Sequence, residues 1–235
     1  MKIYSQGDQA IVVSIEKEVS KDLTEDLLAL RKYLLSRNYP FITEIVPTES
    51  DMMICYDARD MIKHYDIASP YLYMKELVES IQLEIKYENH DDVINEIPVI
   101  YGGQYGPDLN ELIKDYQIDE TTFIERHTAP TYFVSMMGYS PGFPYLTGMD
   151  ESLYVNYTGK KKSFIPAGSV IIEGKKTGIT TTDTYGDWLV IGYTPLRLFD
   201  PSKSDFTSLK LGDSVQFKAQ RPEDVELGGY QPCQS

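Results

Sequence analysis

The chain has 235 residues and is strongly acidic, with 22 Lys and Arg against 36 Asp and Glu and a formal net charge of −14. This balance excludes general nucleic-acid binding, which needs basic side chains to neutralise phosphates. No apolar stretch approaches the roughly 20 residues of a membrane-spanning helix. The residues from Met1 to Asp8 contain no apolar signal core, so we expect a cytoplasmic protein without membrane contact.

Residues 1–90 predict a small α/β domain. The predicted elements, in chain order, are short strands at Ile3-Tyr4 and Ala10–Ile15, a helix capped by Ser20, strands at 42–46 and 52–56, a helix from Pro70, and a strand at 83–87. The order βαββαβ is typical of the ferredoxin-like split unit.

Residues 91–220 predict a second domain, which makes the chain an α+β protein. The polar stretch Asn89–Glu96 is the expected linker, and a strand begins at Pro98. Two short helices follow, Pro107–Tyr116 and one from Asp119 to about His127. Strands and turns then continue to about Lys218 and indicate a closed or sandwiched antiparallel sheet. Residues 221–235 are expected to form a frayed tail.

Cysteine and histidine are too scattered to predict a metal site. Neither Cys55 nor Cys233 has a neighbouring cysteine or histidine at a zinc-ligand spacing. The histidines are His64, His90 and His127. We therefore expect free thiols and no metal ligand set.

The segment from Gly138 to Pro201 alternates Pro and Gly with aromatic residues. Proline fixes φ and glycine reaches positive φ, so this composition predicts shaped loops between short strands. Loops held by a rigid sheet are common positions for binding sites. The most prominent stretches are Tyr139–Leu146, Ile165–Val170, Gly186-Asp187-Trp188 and Thr194–Asp200.

Motifs between residues 97 and 201 resemble one protein family. The family includes the B component of 5-oxoprolinase, the sporulation kinase inhibitor KipI and the first subunit of allophanate hydrolase. The matching stretches are Pro98–Gly103, Gly106–Leu109, His127 with Tyr132, Tyr139–Leu146, Ile165–Val170, Thr177-Gly178 and Thr194–Asp200. The resemblance implies a cyclophilin-like antiparallel β-barrel for the second domain.

The same resemblance implies an activity and partners. It indicates one component of an ATP-dependent 5-oxoprolinase, which hydrolyses 5-oxo-L-proline to L-glutamate. The partners would be a larger carboxyltransferase-type subunit (the KipA-like C component) and a third subunit (the LamB/YcsF-like A component), with ATP bound by or shared with them. The alternatives are a KipI-like inhibitor of a sensor histidine kinase and a non-catalytic subunit that stabilises its partner.

The candidate site residues follow from the motifs. His127 is a candidate proton donor or orienting residue, with a helix-capping role as the alternative, and Lys176 is a candidate contact for an anion. Tyr139, Phe143 and Tyr145 predict an aromatic wall or, alternatively, a seal at one end of the barrel. The substrate-binding candidates are Tyr139, Pro141, Gly142, Phe143, Tyr145, Ser169, Thr177 and Gly178. Ser169 lacks the Gly-x-Ser-x-Gly context of a nucleophile.

Five lysines lie close together in this acidic chain: Lys160, Lys161, Lys162, Lys175 and Lys176. They predict either a solvated hairpin or an anion-facing rim. The sequence departs from the family here, because most members have arginines before the Pro166–Ser169 motif and glutamine in place of Lys176. Gly168–Thr177 is not a P-loop, because Ser169 occupies the position of its first glycine.

Overall fold

The computed structural model describes residues 1–81, 93–156 and 162–224. The chain divides into two compact units, Met1–His90 and Asp91–Ser235. Each unit has its own hydrophobic core. None of the helices in the described ranges is both long and apolar enough to cross a membrane.

The first unit is an antiparallel sheet with helices. Its elements are β1 (Lys2–Ser5), β2 (Ala10–Ser14), α1 (Lys21–Arg37), β3 (Ile42–Pro47), β4 (Asp51–Tyr56), α2 (Ala58–His64) and α3 (Pro70–Ile81). The sheet order is β1-β2-β4-β3. Strand β4 lies between β2 and β3 and is antiparallel to both, as in a split βαβ unit.

Local capping explains why α1 begins where the sequence predicts. The Ser20 hydroxyl accepts a hydrogen bond from the backbone N–H of Leu23, at 3.2 Å, and so satisfies one free donor of the first turn. The sequence reading missed α2, although the Asp57 carboxylate caps it by accepting from the N–H of Asp60. The predicted strand at 83–87 lies outside the described residues.

The second unit is built on a closed barrel of seven strands. Its elements are β5 (Ile94–Tyr101), α4 (Leu109–Tyr116), α5 (Glu120–Thr128), β6 (Tyr132–Met137), β7 (Pro144–Thr147), β8 (Ser163–Ile165), β9 (Ser169–Glu173), β10 (Lys176–Ile179), β11 (Thr184–Gly186), β12 (Leu189–Tyr193) and β13 (Ser214–Ala219). The barrel order is β10-β7-β6-β13-β5-β12-β9, while β8 and β11 form a separate two-stranded antiparallel sheet. The α+β class and the predicted barrel are thereby confirmed.

Two details of the barrel differ from the sequence prediction. Strand β13 pairs with β5 in parallel, whereas the other neighbouring barrel strands described here are antiparallel. The parallel pair joins the two ends of the unit, and no local turn signal predicts such a pairing. Residues Ile94–Glu96, predicted as linker, belong to β5, because β13 supplies backbone partners for these polar positions.

A glycine turn after β5 runs close along β12. The N–H of Gly102 donates to the carbonyl of Ile191, and the Asp108 carboxylate accepts from the N–H of Val190 at 2.7 Å. A Cβ built on Gly106 would overlap the carbonyl group of Ile191. The glycine at 106 therefore permits a backbone contact that fixes the start of α4.

Candidate functional site

His127 lies inside the barrel, at the end of α5. The helix begins at its Asp119 cap, as predicted, and its last turn directs the imidazole into the core. The ring is fully buried and stacks on Phe217, with centroids 4.7 Å apart. The side chain therefore does not serve as a helix cap.

Both nitrogens of His127 have partners within the protein. The Tyr101 hydroxyl lies 2.7 Å from Nδ1, and Nε2 lies 3.2 Å from the Thr177 hydroxyl. Thr177 donates its own proton to the carbonyl of Ile171, at 2.8 Å. A hydroxyl has one proton to donate, so Nε2–H must donate to Thr177 while Nδ1 accepts from Tyr101.

Burial keeps His127 neutral. Desolvation lowers the pKa of the imidazole from 6.5 to about 3, because the charged form loses its hydration in an apolar core. Burial also raises the pKa of Tyr101 well above its usual value. A neutral and enclosed histidine suits the orienting role better than direct proton donation. The resulting hydrogen-bond network of Tyr101, His127 and Thr177 links α5 to β5 and β10.

Strand β10 separates the predicted site into two layers. Side chains alternate along a strand, and Thr177 and Ile179 point to the barrel interior with His127. Lys176 and Gly178 therefore face outward. A Cβ on Gly178 would lie 3.0 Å from the ring of Phe143, which places Phe143 on the outer side of the barrel wall.

Phe143 belongs to a small second core outside the barrel. It is fully buried there. The members of this core, which we call the outer cluster, are Phe143, Ile165, Ile171, Trp188 and Val190, with Tyr145 packed against them. Because Ile165 comes from β8 and Trp188 precedes β12, the outer cluster packs the two-stranded β8–β11 sheet and the Tyr139–Phe143 loop against the barrel wall.

Two of the predicted aromatic residues reach the surface. Tyr139 is 56% exposed and its ring lies 4.6 Å from that of Trp188, in an edge-to-face arrangement. Tyr145 is half-buried beside Phe143, at 4.8 Å. Pro141 is exposed, and Gly142 takes a φ of 78° where a Cβ would lie 2.9 Å from that of Phe199.

Lys176 lies next to this aromatic surface. Its ammonium nitrogen is 5.9 Å from the centroid of the Tyr145 ring, within the range of a cation–π contact. Lys175 lies in the exposed turn between β9 and β10 and contacts Tyr154 instead, at 5.8 Å. Lys160 and Lys161 lie outside the described residues. The anion-facing rim stays a prediction for Lys176, which is half-buried.

Ser169 is enclosed rather than available to a ligand. The side chain is 1% exposed, and its hydroxyl has no hydrogen-bond partner in the described part of the chain. The Thr180 hydroxyl holds the local backbone by accepting from the N–H of Ser169, at 2.9 Å. Burial of Ser169 agrees with the absence of a nucleophile motif around it.

The structure thus brings the sequence candidates together as two groups. His127 and Thr177 meet inside the barrel, whereas Tyr139, Phe143, Tyr145, Lys176 and Gly178 surround its outer wall. Sequence reasoning missed Tyr101 as a site residue. The alternating apolar residues of its strand, β5, were the available signal that its side chain faces the core. In residues 1–81, 93–156 and 162–224, no group of three or more His, Cys, Asp or Glu is placed to hold a metal ion.

Comparison with known proteins identifies the family. Residues 1–209 match the family model of the carboxyltransferase domain, subdomain C and D. The chain belongs to this family. The family resemblance predicted from the motifs is confirmed by relatives that are named as the B component of 5-oxoprolinase. The protein of Bacillus subtilis strain 168 is 36% identical over 220 residues, which cover 92% of this chain and 91% of the relative. That of Haemophilus influenzae strain Rd is 32% identical and covers 97% and 100%.

A solved structure shows the same fold within a longer chain. TTHA0988 superposes with a TM-score of 0.76 at 25% identity, over 91% of this chain but only 40% of TTHA0988. The carboxyltransferase subdomain C and D fold described here therefore spans less than half of that polypeptide.

Proposed function

We propose that the chain is one component of an ATP-dependent 5-oxoprolinase complex that hydrolyses 5-oxo-L-proline to L-glutamate. The observation that carries the proposal is the match to proteins named as the B component of 5-oxoprolinase over nearly their whole length, 91% and 100% in the two cases given above. Water adds to the lactam carbonyl and the ring C–N bond breaks, with the hydrolysis of ATP to drive the reaction.

Lys176 is the residue of this chain that suits contact with the substrate carboxylate. It faces outward beside Tyr145, 5.9 Å from the ring. A lysine ammonium attracts a carboxylate as a mobile point charge, and the tyrosine ring offers an apolar surface for the lactam ring. Inside the barrel, the Thr177–His127 hydrogen bond fixes the strand that carries Lys176.

The remainder of the active centre is proposed to come from partner chains. Gly174 and Lys175 form a tight turn between β9 and β10, and this hairpin has no room for a phosphate-cradling loop. We propose that ATP is bound by, or shared with, the larger carboxyltransferase-type subunit and the third subunit.

Reconstitution tests the proposal. We expect no release of glutamate or phosphate from 5-oxoproline and ATP with this chain alone, and ATP-dependent release when the other two subunits of the same organism are added. The matched control is the pair of partner subunits without this chain. Turnover by the lone chain would exclude a shared site, and undiminished turnover by the partners alone would exclude a role for this chain.

Replacing Lys176 by glutamine should weaken substrate binding in the assembled complex. Loss of a charge-assisted hydrogen bond to a partly desolvated carboxylate costs about 1.5–3 kcal/mol, so we expect KM for 5-oxoproline to rise roughly tenfold or more. Lys175→Gln is the control, since Lys175 lies exposed in the turn, and its KM should change less than about twofold. Equal KM values for both variants would assign Lys176 to the solvated surface.

A further inference from the structure

A cleft opens at the end of β5, on the opposite side of the barrel from β10. In the closed order of strands, two strands separate β5 from β10 on one path around the barrel and three on the other. The cleft has a volume of about 360 Å³, and Gly103, Tyr105, Glu120, Ile124 and Arg221 are among the residues that line it. This volume lies within the range of about 300–1,000 Å³ that is common for small-molecule sites.

Glu120 supplies a carboxylate to one side of the cleft. It is the first residue of α5, which the Asp119 cap holds in position. A Cβ built on Gly102 would lie 3.0 Å from Oε1 of Glu120, so the carboxylate lies against the glycine turn. Among the described residues, no cationic side chain lies within ion-pair distance of this carboxylate.

Arg221 supplies a cation to the same cleft. The residue before it, Gln220, donates its backbone N–H to the carbonyl of Val99 at 2.9 Å, which holds the segment after β13 against β5. The Arg221 side chain is 80% exposed, and its ion pair with Glu223 is long, at 4.0 Å. Arg221 and Glu120 line one cleft without forming an ion pair with each other. Opposite charges are therefore both open to a ligand.

An apolar wall accompanies the two charges. Tyr105 is 8% exposed, and its ring stacks on that of Tyr193 with centroids 6.2 Å apart, which fixes its orientation. Ile124 adds aliphatic surface to the lining. Gly103 has a φ of 55°, and a Cβ there would meet no atom within 4 Å. A ligand can therefore approach the backbone of the glycine turn closely.

We propose that this cleft binds a free α-amino acid with a neutral side chain. The ammonium group of the ligand pairs with Glu120, its carboxylate pairs with Arg221, and its side chain packs on Tyr105. A guanidinium group binds a carboxylate through two parallel hydrogen bonds. A dipolar ligand suits opposite charges that are not paired with each other, whereas a simple anion would face the Glu120 carboxylate as a like charge.

This site is separate from the outer wall to which the proposed function assigns the lactam. 5-Oxoproline has a carboxylate but no ammonium group, so it lacks the partner that Glu120 requires. The inference therefore does not depend on the proposed function.

Calorimetric titration of the full-length chain with L-leucine and L-glutamine tests the proposal. The two probes share the ammonium and carboxylate groups and differ in the side chain. We expect at least one of them to bind with a Kd of about 1 mM or lower. The amide of the bound amino acid, which lacks the carboxylate, and its N-acetyl derivative, which lacks the ammonium group, should each bind at least about tenfold more weakly. The absence of saturable binding by both amino acids would overturn the proposal.

Two charge variants and a matched control assign the binding to the cleft. Glu120→Gln and Arg221→Gln change exposed side chains, so both should remain folded, as fluorescence of Trp188, the single tryptophan of the chain, reports. We expect each to raise Kd at least about tenfold. Glu125→Gln removes an exposed carboxylate of the same helix that does not line the cleft, and it should bind like the wild type. Equal Kd values for all three variants would overturn the proposal. Weaker binding by Lys176→Gln alone would place the amino acid at the outer wall, which would also overturn the proposal but leave the proposed function intact.

Discussion

Replacing Gly106 by alanine should destabilise the barrel unit by at least about 3 kcal/mol. A Cβ at this position would overlap the carbonyl of Ile191 and lie 2.8 Å from the backbone nitrogen of Gly102. Both neighbours are backbone atoms held by the hydrogen bonds between the glycine turn and β12. Unlike a side chain, neither can move away from the new Cβ by changing rotamer. We expect the melting temperature to fall by roughly 10 °C. Urea unfolding followed by Trp188 fluorescence measures the change.

Gly138→Ala is the matched control for this prediction. A Cβ on Gly138 would meet only the terminal methyl of Met136, at 3.9 Å, and the cost should stay within about 1 kcal/mol. If Gly106→Ala unfolds at the same urea concentration as Gly138→Ala, the turn after β5 can shift away from β12 without a loss of stability. Its close contact with β12 would then not be required for folding.

Features with a local cause could be predicted from the sequence. Ser20 and Asp119 both cap helices, because a short polar side chain at a helix start satisfies free N–H groups within three residues of itself. The loop from Gly138 to Phe143 also forms as expected, since Pro141 and Gly142 restrict the backbone whatever the surrounding fold. Such signals need no knowledge of distant contacts.

Features that depend on barrel closure could not be predicted in the same way. Lys176 and Thr177 are neighbours in sequence and both are candidates for one site, yet strand alternation places their side chains on opposite sides of the barrel wall. The alternation was available from the sequence, but which side was interior was not. The partner of His127, Tyr101, is 26 residues away and becomes its neighbour only when β5 and α5 pack together. Parallel pairing of β5 with β13 is likewise a property of the closed barrel.

Because His127 is buried, the stability of the folded protein should fall in acid. The pKa of His127 is about 3 in the folded chain because of burial, against about 6.5 when exposed. Between these values the unfolded chain binds a proton that the folded chain does not, so stability falls as the pH falls. Above pH 6.5, protonation of His127 costs the protein little stability. Between pH 6.5 and pH 4.5 we expect the free energy of unfolding to fall by roughly 2–3 kcal/mol. Urea titrations at several pH values, followed by Trp188 fluorescence, measure it.

His127→Gln separates this proton from the other acid-sensitive groups. Glutamine can accept from Tyr101 and donate to Thr177 but does not titrate. The variant should be less stable than the wild type at pH 7, because the stacking on Phe217 is lost, while its stability should change much less between pH 6.5 and pH 4.5. The carboxyl groups of Asp119 and Asp150 have pKa values lowered below 3.8 by hydrogen bonds, so their stabilisation is lost only at lower pH. If the stability of the two proteins depends on pH in the same way, His127 gains a proton in the folded barrel. The hydrogen bonds from Tyr101 through His127 to Thr177 would then be open to water.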